Sequence, residues 1–246
     1  MKTVVITGAL GGIGSVLCRI FAENNYKVIG VDKKTSGNFN QKLINYDIST
    51  IPSDKKAFAD FTEEILYESD GKIDCVVNNA ALQIVKGIEE LDWNDWEMTF
   101  QTNLFAPAFI VKAFLPQLRA AKGTVINISS IHASLTKKNF TAYSTSKGAL
   151  VSLTRAMALD LAPDIRVNAV IPAATDTPML REGFIGNDNG FALLGHYHPM
   201  DRIGKPEEIA EAVVFLASEK ASFMTGTCIW VDGGIGGVLS DPVYAR

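Results

Sequence analysis

Cysteine is scarce and scattered. Cys18, Cys75 and Cys228 are the three thiols in 246 residues, and none lies in a CxxC pair, which excludes a disulfide framework and a cysteine-ligated zinc site and leaves buried, reduced thiols as the expectation. An excess of positive charge is also missing: 23 Lys and Arg against 27 Asp and Glu give a formal net charge of −4. Without a basic field, nucleic acid is not an expected partner. No apolar run reaches the roughly 18 residues of a membrane span, so no membrane partner is expected. The opening MKTVVITG enters a strand-like run without the charged region and cleavage site of a secretory leader, which makes the cytoplasm the expected location. Low-complexity stretches, charge runs and internal repeats are absent as well. At about 150 residues per domain, residues 1–246 read as one large domain with ample apolar content for a core.

What is present is an alternation of short apolar runs with longer helical patterns. The runs cover 4–6, 28–31, 43–46, 73–77, 124–128, 166–170 and 228–231, and the segments between them are long enough for helical crossovers. This pattern predicts an α/β fold, a doubly wound parallel sheet of about seven strands with helices on both faces. Pro206 followed by Glu207 and Glu208 marks a helix start, because proline suits the first turn and acids favour its positive end. Residues 104–118 are apolar nearly all round and predict one helix with a face the sheet cannot cover. With Leu150, Leu153, Met157 and Leu161 at helical spacing on 142–161, that face predicts self-association.

After the first strand comes Thr7-Gly8-Ala9-Leu10-Gly11-Gly12-Ile13-Gly14, followed by a helical pattern. Glycines let backbone approach a ligand closely, and the helix start aims unpaired N–H groups at the same point, so a pyrophosphate is the expected occupant, held by Gly8, Leu10, Gly11, Gly12, Ile13 and Gly14. Asp32 ends the second strand, where a carboxylate accepts both hydroxyls of an adenosine ribose and repels a 2′-phosphate. NAD is therefore expected over NADP, although Lys33 and Lys34 follow. Tyr143 and Lys147 lie four apart on one helix face. A neighbouring ammonium is expected to lower the tyrosine pKa, which makes Tyr143 a usable acid or base. Pro107, four residues after Asn103, has no N–H, so the Asn103 carbonyl lacks its usual helical donor and is a place for a water.

The sequence resembles the short-chain dehydrogenase/reductase family over essentially its whole length. The resemblance rests on the loop 7–14, Asn78-Asn79-Ala80, Asn103, Asn127-Ile128-Ser129-Ser130 thirteen residues before Tyr143, Pro172 with Thr177, and Val231-Asp232-Gly233-Gly234. It implies a Rossmann-type hydride-transfer enzyme that assembles as a homotetramer. It further implies that Tyr143 is the general acid/base, that Lys147 holds the nicotinamide ribose, that Ser130 positions the reacting oxygen, and that Asn103 holds a relay water. Asp47 and Ile48 would flank the adenine, Asn79 and Ala80 line the cofactor groove, and Pro172, Thr175 and Thr177 meet the nicotinamide end. Ala81 and Ala173 stand where the family has glycine, each adding a methyl group near the cofactor path.

The stretch 179–199 reads as an irregular substrate loop, with Phe184, Phe191, Leu193, Leu194 and Tyr197 as apolar pocket-lining candidates and His196 or His198 as a polar contact. His132, two residues after Ser130, is placed to face the substrate beside Ser130 and Tyr143. His196 and His198 lack a third ligand nearby in sequence, so no metal is expected. The leading expectation is NAD-linked oxidation of a secondary alcohol, or reduction of the matching carbonyl, on a sugar, steroid or other small alcohol. The alternatives are an NADPH-linked 3-oxoacyl thioester reductase and a catalytically silent NAD-binding regulator.

Overall fold

The computed structural model describes residues 1–35 and 41–239. Its strands are β1 (Lys2–Thr7), β2 (Tyr26–Asp32), β3 (Lys42–Asn45), β4 (Cys75–Asn78), β5 (Thr124–Ile128), β6 (Arg166–Pro172) and β7 (Cys228–Val231). They form one seven-stranded sheet in the order β3-β2-β1-β4-β5-β6-β7, and every pairing is parallel. Chain direction across the sheet reverses between β1 and β4, and in open sheets the crevice at such a switch point receives the ligand.

Both faces are covered, which is why the strands are apolar continuously rather than alternately. Val4, Ile6, Cys75, Val77 and Ile126 point to the side covered by α1 (Gly12–Glu23) and, near the C-terminus, by the helix Pro206–Ala217. Val5, Val76, Val125 and Val167 point the other way, onto Phe61 and Ile65 of α2 (Lys55–Glu68) and onto the helices between β4 and β6. Those are α3 (Trp93–Phe100), α4 (Ala106–Ala113), α5 (Leu115–Ala121) and α6 (Thr141–Leu161), with a π-helical turn, Gln101–Phe105, joining α3 to α4. A buried polar chain anchors α6: Asn78 donates to Asn127 at 2.8 Å, and Asn127 to Thr154 at 2.8 Å.

Two elements differ from the sequence expectation. The single helix over 104–118 is broken at Phe114, because Pro116 supplies no N–H and its ring would collide with the carbonyl one turn earlier. Among the described residues no single helix is long and apolar enough to cross a membrane; only Trp93–Ala113 and Leu115–Ala121 taken together, across a 63° bend, match by length and composition. Residues 179–199 are not irregular. They carry α7 (Pro178–Glu182) and α8 (Asp188–Leu194), ahead of α9 (Pro206–Ala217). Local caps account for both: Thr177 accepts from the Leu180 N–H and Asn187 from the Gly190 N–H, each satisfying a donor at a helix start.

Sheet packing buries Ala106, Ile110, Val111, Phe114 and Leu118. Phe105 and Phe109 are left 43% and 40% exposed. With Leu104, Ala108 and, on α6, Ala149, Leu153 and Ala156, Phe105 lines an open apolar groove.

Candidate active site

At the carboxyl ends of β1 and β4 the glycine loop is packed against its own chain. Gly8 has φ +67°, and a Cβ there would come within 2.8 Å of Ala80 Cα; a Cβ on Gly14 would run into the Gly8 carbonyl oxygen. Thr7, a residue whose part sequence reasoning missed, holds this packing: its Oγ1 accepts from the N–H groups of Asn79 and Ala80, both at 3.1 Å. Asn79 Nδ2 in turn donates to the carbonyls of Thr7 and Gly8. Asn79 and Ala80 therefore lie directly on the loop. Leu10 N–H donates to Asp32 at 2.9 Å and Gly11 N–H to Gly8 at 3.0 Å, while α1 starts without any side-chain cap. The first-turn N–H groups of Gly12, Ile13 and Gly14 have no intrahelical partner and converge beside the loop, a cradle of donors that fits a pyrophosphate.

Asp32 stands at the end of β2 with one oxygen on Leu10 N–H and the other on Lys34 N–H at 3.0 Å. Asp47 spends one carboxylate oxygen capping the turn it begins, accepting from Ser49, and Ile48 behind it is buried. Across the cradle, Pro172 ends β6 and Thr175 is buried, bonded to the Ala173 carbonyl at 3.1 Å. Thr177 packs against Gly12 closely enough that a Cβ on Gly12 would meet it at 2.8 Å.

Ser130 follows β5, and Tyr143 and Lys147 face it from the first two turns of α6. Ser130 lies close enough to the Tyr143 phenol to lower its pKa, and Ser130 Oγ accepts the His132 N–H at 3.2 Å. Lys147 Nζ donates to the Ile128 carbonyl at 2.8 Å and lies 5.8 Å from the Tyr143 ring centroid. Ser129 braces the same turn by donating to the Lys147 carbonyl at 3.0 Å. Electrostatically the pair departs from expectation. Burial pushes the Tyr143 phenol up to about 12, and it is Ser130, rather than Lys147, that pulls it back. The reason is that Lys147 is itself desolvated, its ammonium drawn down to about 7 by burial.

That depression makes a stability prediction. An unfolded lysine keeps its proton up to its ordinary value of 10.5, whereas the folded one gives it up near 7, so the native state gains stability as pH rises between them. Above pH 9 the buried Cys18 and Cys75 thiols, both raised by burial, act in the opposite sense. Urea unfolding of the cofactor-free protein at pH 7 and pH 9 should therefore show a larger gain for wild type than for Lys147→Met. Equal gains would mean that the ammonium is not desolvated.

Asn103 occupies the π-helical turn, but its side chain is not free to hold a water. Its Oδ1 accepts the Leu82 N–H at 2.8 Å, and its Nδ2 donates to the Leu82 carbonyl at 2.9 Å and to Ser146 Oγ at 3.0 Å. Ser146 passes the connection on by donating to the Tyr143 carbonyl at 2.7 Å. Neither Leu82 nor Ser146 carried a sequence signal for this clamp. The Asn103 main-chain carbonyl, whose i+4 residue is Pro107, is what remains for a relay water.

His132 stacks on Phe140, ring centroids 4.4 Å apart and planes 6° from parallel, and meets Tyr143 edge-on at 5.8 Å. Lys137 Nζ lies 4.7 Å over the Phe140 ring and 6.0 Å from that of Phe184, just beyond α7. Phe184 packs on Phe191 of α8, over which the Arg181 guanidinium sits at 5.0 Å. The segment 178–194 is thus joined to the Ser130–Tyr143 wall by one cation–aromatic ladder. Tyr197 is exposed, His196 pairs with Asp201, and buried His198 bonds the Leu194 carbonyl, so these three do not line the site with it.

Comparison with known proteins bears on the family and the fold. The sequence profile described as enoyl-(acyl carrier protein) reductase matches residues 8–236. The aldohexose dehydrogenase of Thermoplasma acidophilum is 37% identical and superposes with a TM-score of 0.91, covering 98% of this chain and 97% of that one. A short-chain dehydrogenase/reductase described as glucose/ribitol dehydrogenase, from Brucella melitensis, is 31% identical with a TM-score of 0.85, covering 97% of each chain. A 3-ketoacyl-(acyl-carrier-protein) reductase from Brucella melitensis, solved with NADH, is 29% identical with a TM-score of 0.84, covering 96% of this chain and 98% of that one.

Proposed function

The chain belongs to the short-chain dehydrogenase/reductase family, and on that footing we propose that it is an NAD(H)-dependent oxidoreductase interconverting a secondary alcohol and its carbonyl. The observation that carries this reading is Ser130 set beside the Tyr143 phenol, with Lys147 buried behind it, at the strand ends that also hold the glycine cradle. When bound, the nicotinamide supplies or takes the hydride. The protein's share is placement and proton handling. Ser130 holds the reacting oxygen, and Tyr143 gives it a proton in reduction or accepts one in oxidation. Lys147 holds the nicotinamide ribose, and protons pass toward solvent by a water at the Asn103 carbonyl. A phenol this strongly raised carries its proton at neutral pH but is a weak acid, and too little phenolate is present for it to serve as a base by itself. Oxidation therefore depends on positive charge arriving beside it, from Lys147 protonated on binding and from the oxidised nicotinamide ring.

NAD over NADP is supported by Asp32, whose carboxylate is held against the loop by Leu10 and Lys34 where an adenosine ribose would lie. Asp47 and Ile48 would flank the adenine, and Pro172, Thr175 and Thr177 would close over the nicotinamide end. The exposed groove along α4 and α6 supports assembly: a second copy laying the same helices across it would cover Phe105 and Phe109 on both partners. We take the assembly to be a homotetramer in the cytoplasm. Light scattering that returns the mass of a single chain would remove the assembly from this reading.

A second reading, reduction of a 3-oxoacyl thioester, is favoured by the likeness to the 3-ketoacyl-(acyl-carrier-protein) reductase from Brucella melitensis. One experiment separates the two: formation or consumption of NADH and NADPH, followed by absorbance, over sugars, steroids, secondary alcohols and 3-oxoacyl thioesters. Oxidation of an alcohol with NAD, at least about tenfold over NADP, supports the proposal, since opposing a carboxylate to a 2′-phosphate costs on the order of a kcal/mol or more. Efficient NADPH-linked reduction of the thioester alone refutes it.

A further inference from the structure

We propose that Arg181 is a positioning residue that makes the place of α8 depend on the cofactor. Its guanidinium ties that helix to residues 175–177, which would meet the nicotinamide end, so that dinucleotide binding fixes the wall carried by Phe184 and Phe191. This rests on the oxidoreductase reading above and adds a route by which one half of the site governs the other.

Residues 178–194 have little of their own to hold them. α7 and α8 are five and seven residues long, and neither buries a residue fully. Helices that short are not stable by their own hydrogen bonds, so tertiary contacts decide where they sit. Arg181 makes two such contacts. Its Nε and Nη2 donate to the two carboxylate oxygens of Asp176, each at 2.7 Å, and the guanidinium carbon lies 5.0 Å from the centre of the Phe191 ring on α8. Among the described residues this is the one ion pair made by 178–194. Phe191 in turn meets Phe184 edge-on at 5.6 Å.

The other end of the tie is firm. Asp176 N–H donates to the Gly204 carbonyl at 2.9 Å, and Gly204 N–H to the Ala174 carbonyl at 2.8 Å, which staples 174–176 to the residues just ahead of α9. On one side of Asp176, Thr175 is buried; on the other, Thr177 caps α7 and packs on Gly12 of the cradle. The carboxylate thus stands between the two threonines expected to touch the cofactor and shares their backbone.

A side-on, two-point pair fixes direction as well as distance. The side chains are 60% and 38% exposed, so the pair adds little to overall stability. Its effect lies in geometry: the planar fork is oriented by Asp176 and at the same time rests on Phe191. A cofactor that holds 175–177 still therefore removes freedom from α8. By contrast α7 follows Thr177 through the main chain and needs no side chain to do so.

Amide hydrogen exchange of the full-length protein, with and without saturating NADH, reads this tie, and NADH fluorescence gives the affinity. In wild type, NADH should slow exchange in α7 and α8, by about fivefold or more in α8, the combined weight of a bidentate pair and a cation–aromatic contact. Arg181→Met keeps a flexible contact with Phe191 but has no fork; NADH should still protect α7, while its effect on α8 falls below about twofold. Asp176→Asn, which removes the charge from the other end, should do the same. A merely structural role would raise α8 exchange equally with and without NADH and leave the ratio as in wild type. That unchanged ratio in either variant overturns the inference, as does an absence of α8 protection in wild type; both leave the oxidoreductase reading in place. Failure of the wild-type protein to bind NADH would overturn both.

Discussion

Tyr143→Phe should bind NAD as wild type does and lose turnover by about a hundred- to ten-thousand-fold, the range over which a positioned general acid or base acts. The substitution is close to a clean deletion of the proton. The phenyl ring keeps its packing against Phe140 and His132, and the fixed points of α6 do not involve the phenol: Ser146 bonds the Tyr143 carbonyl, which phenylalanine retains, and Asn127 holds Thr154. Ser130 Oγ keeps the His132 N–H as its donor, so the serine is not left unpaired. Fluorescence titration with NADH measures the binding, and NADH formation on the best alcohol measures turnover. A variant that keeps its rate would remove Tyr143 from the chemistry. A variant that loses NADH binding in step with its rate would mean that the phenol shapes the cofactor site rather than the proton transfer.

Gly14→Ala should abolish detectable cofactor binding and destabilise the fold, by about 1–3 kcal/mol if it behaves as ordinary overpacking. The added methyl would overlap the Gly8 carbonyl oxygen, with Asn79 Nδ2 at 2.9 Å on its other side. Neither neighbour can yield cheaply. Gly8 is already in a left-handed conformation that other residues rarely adopt, and its carbonyl is bonded to both Gly11 N–H and Asn79. Relief must come from moving the start of α1, which displaces the three first-turn N–H groups offered to the pyrophosphate. Gly237→Ala, where a Cβ meets nothing within 4 Å, is the control and should leave the melting temperature and NADH affinity unchanged. If Gly14→Ala binds NADH with wild-type affinity, the cradle is not where the phosphates lie.

The two variants probe parts of the site that became legible in different ways. The glycine loop, Asp32 at a strand end and the Tyr143–Lys147 spacing are local patterns. Their geometry follows from the backbone between them, so the sequence places them and the fold brings them to one end of the sheet. Ser130 and Asn79 entered through family resemblance, and the structure brings both to that same end. Leu82, Ser146 and Thr7 could not be found this way. Their parts exist only because Asn103 reaches a backbone 21 residues away, and because Thr7 meets a strand 72 residues later.

By itself, then, the sequence determined the architecture and the position of the chemistry: seven apolar runs with helical crossovers lead to a doubly wound parallel sheet, and the glycines, acid, tyrosine and lysine fall at its carboxyl edge. Tertiary structure alone decided what those groups are before any ligand arrives. Desolvation depends on everything packed around an atom, and so Tyr143 is raised rather than lowered and Lys147 is held close to neutrality. The same holds for the break at Phe114, the caps that turn 179–199 into two short helices, and the ladder joining them to His132. Each depends on pairings between surfaces distant in the chain, and a spacing rule carries no information about the surface on the other side.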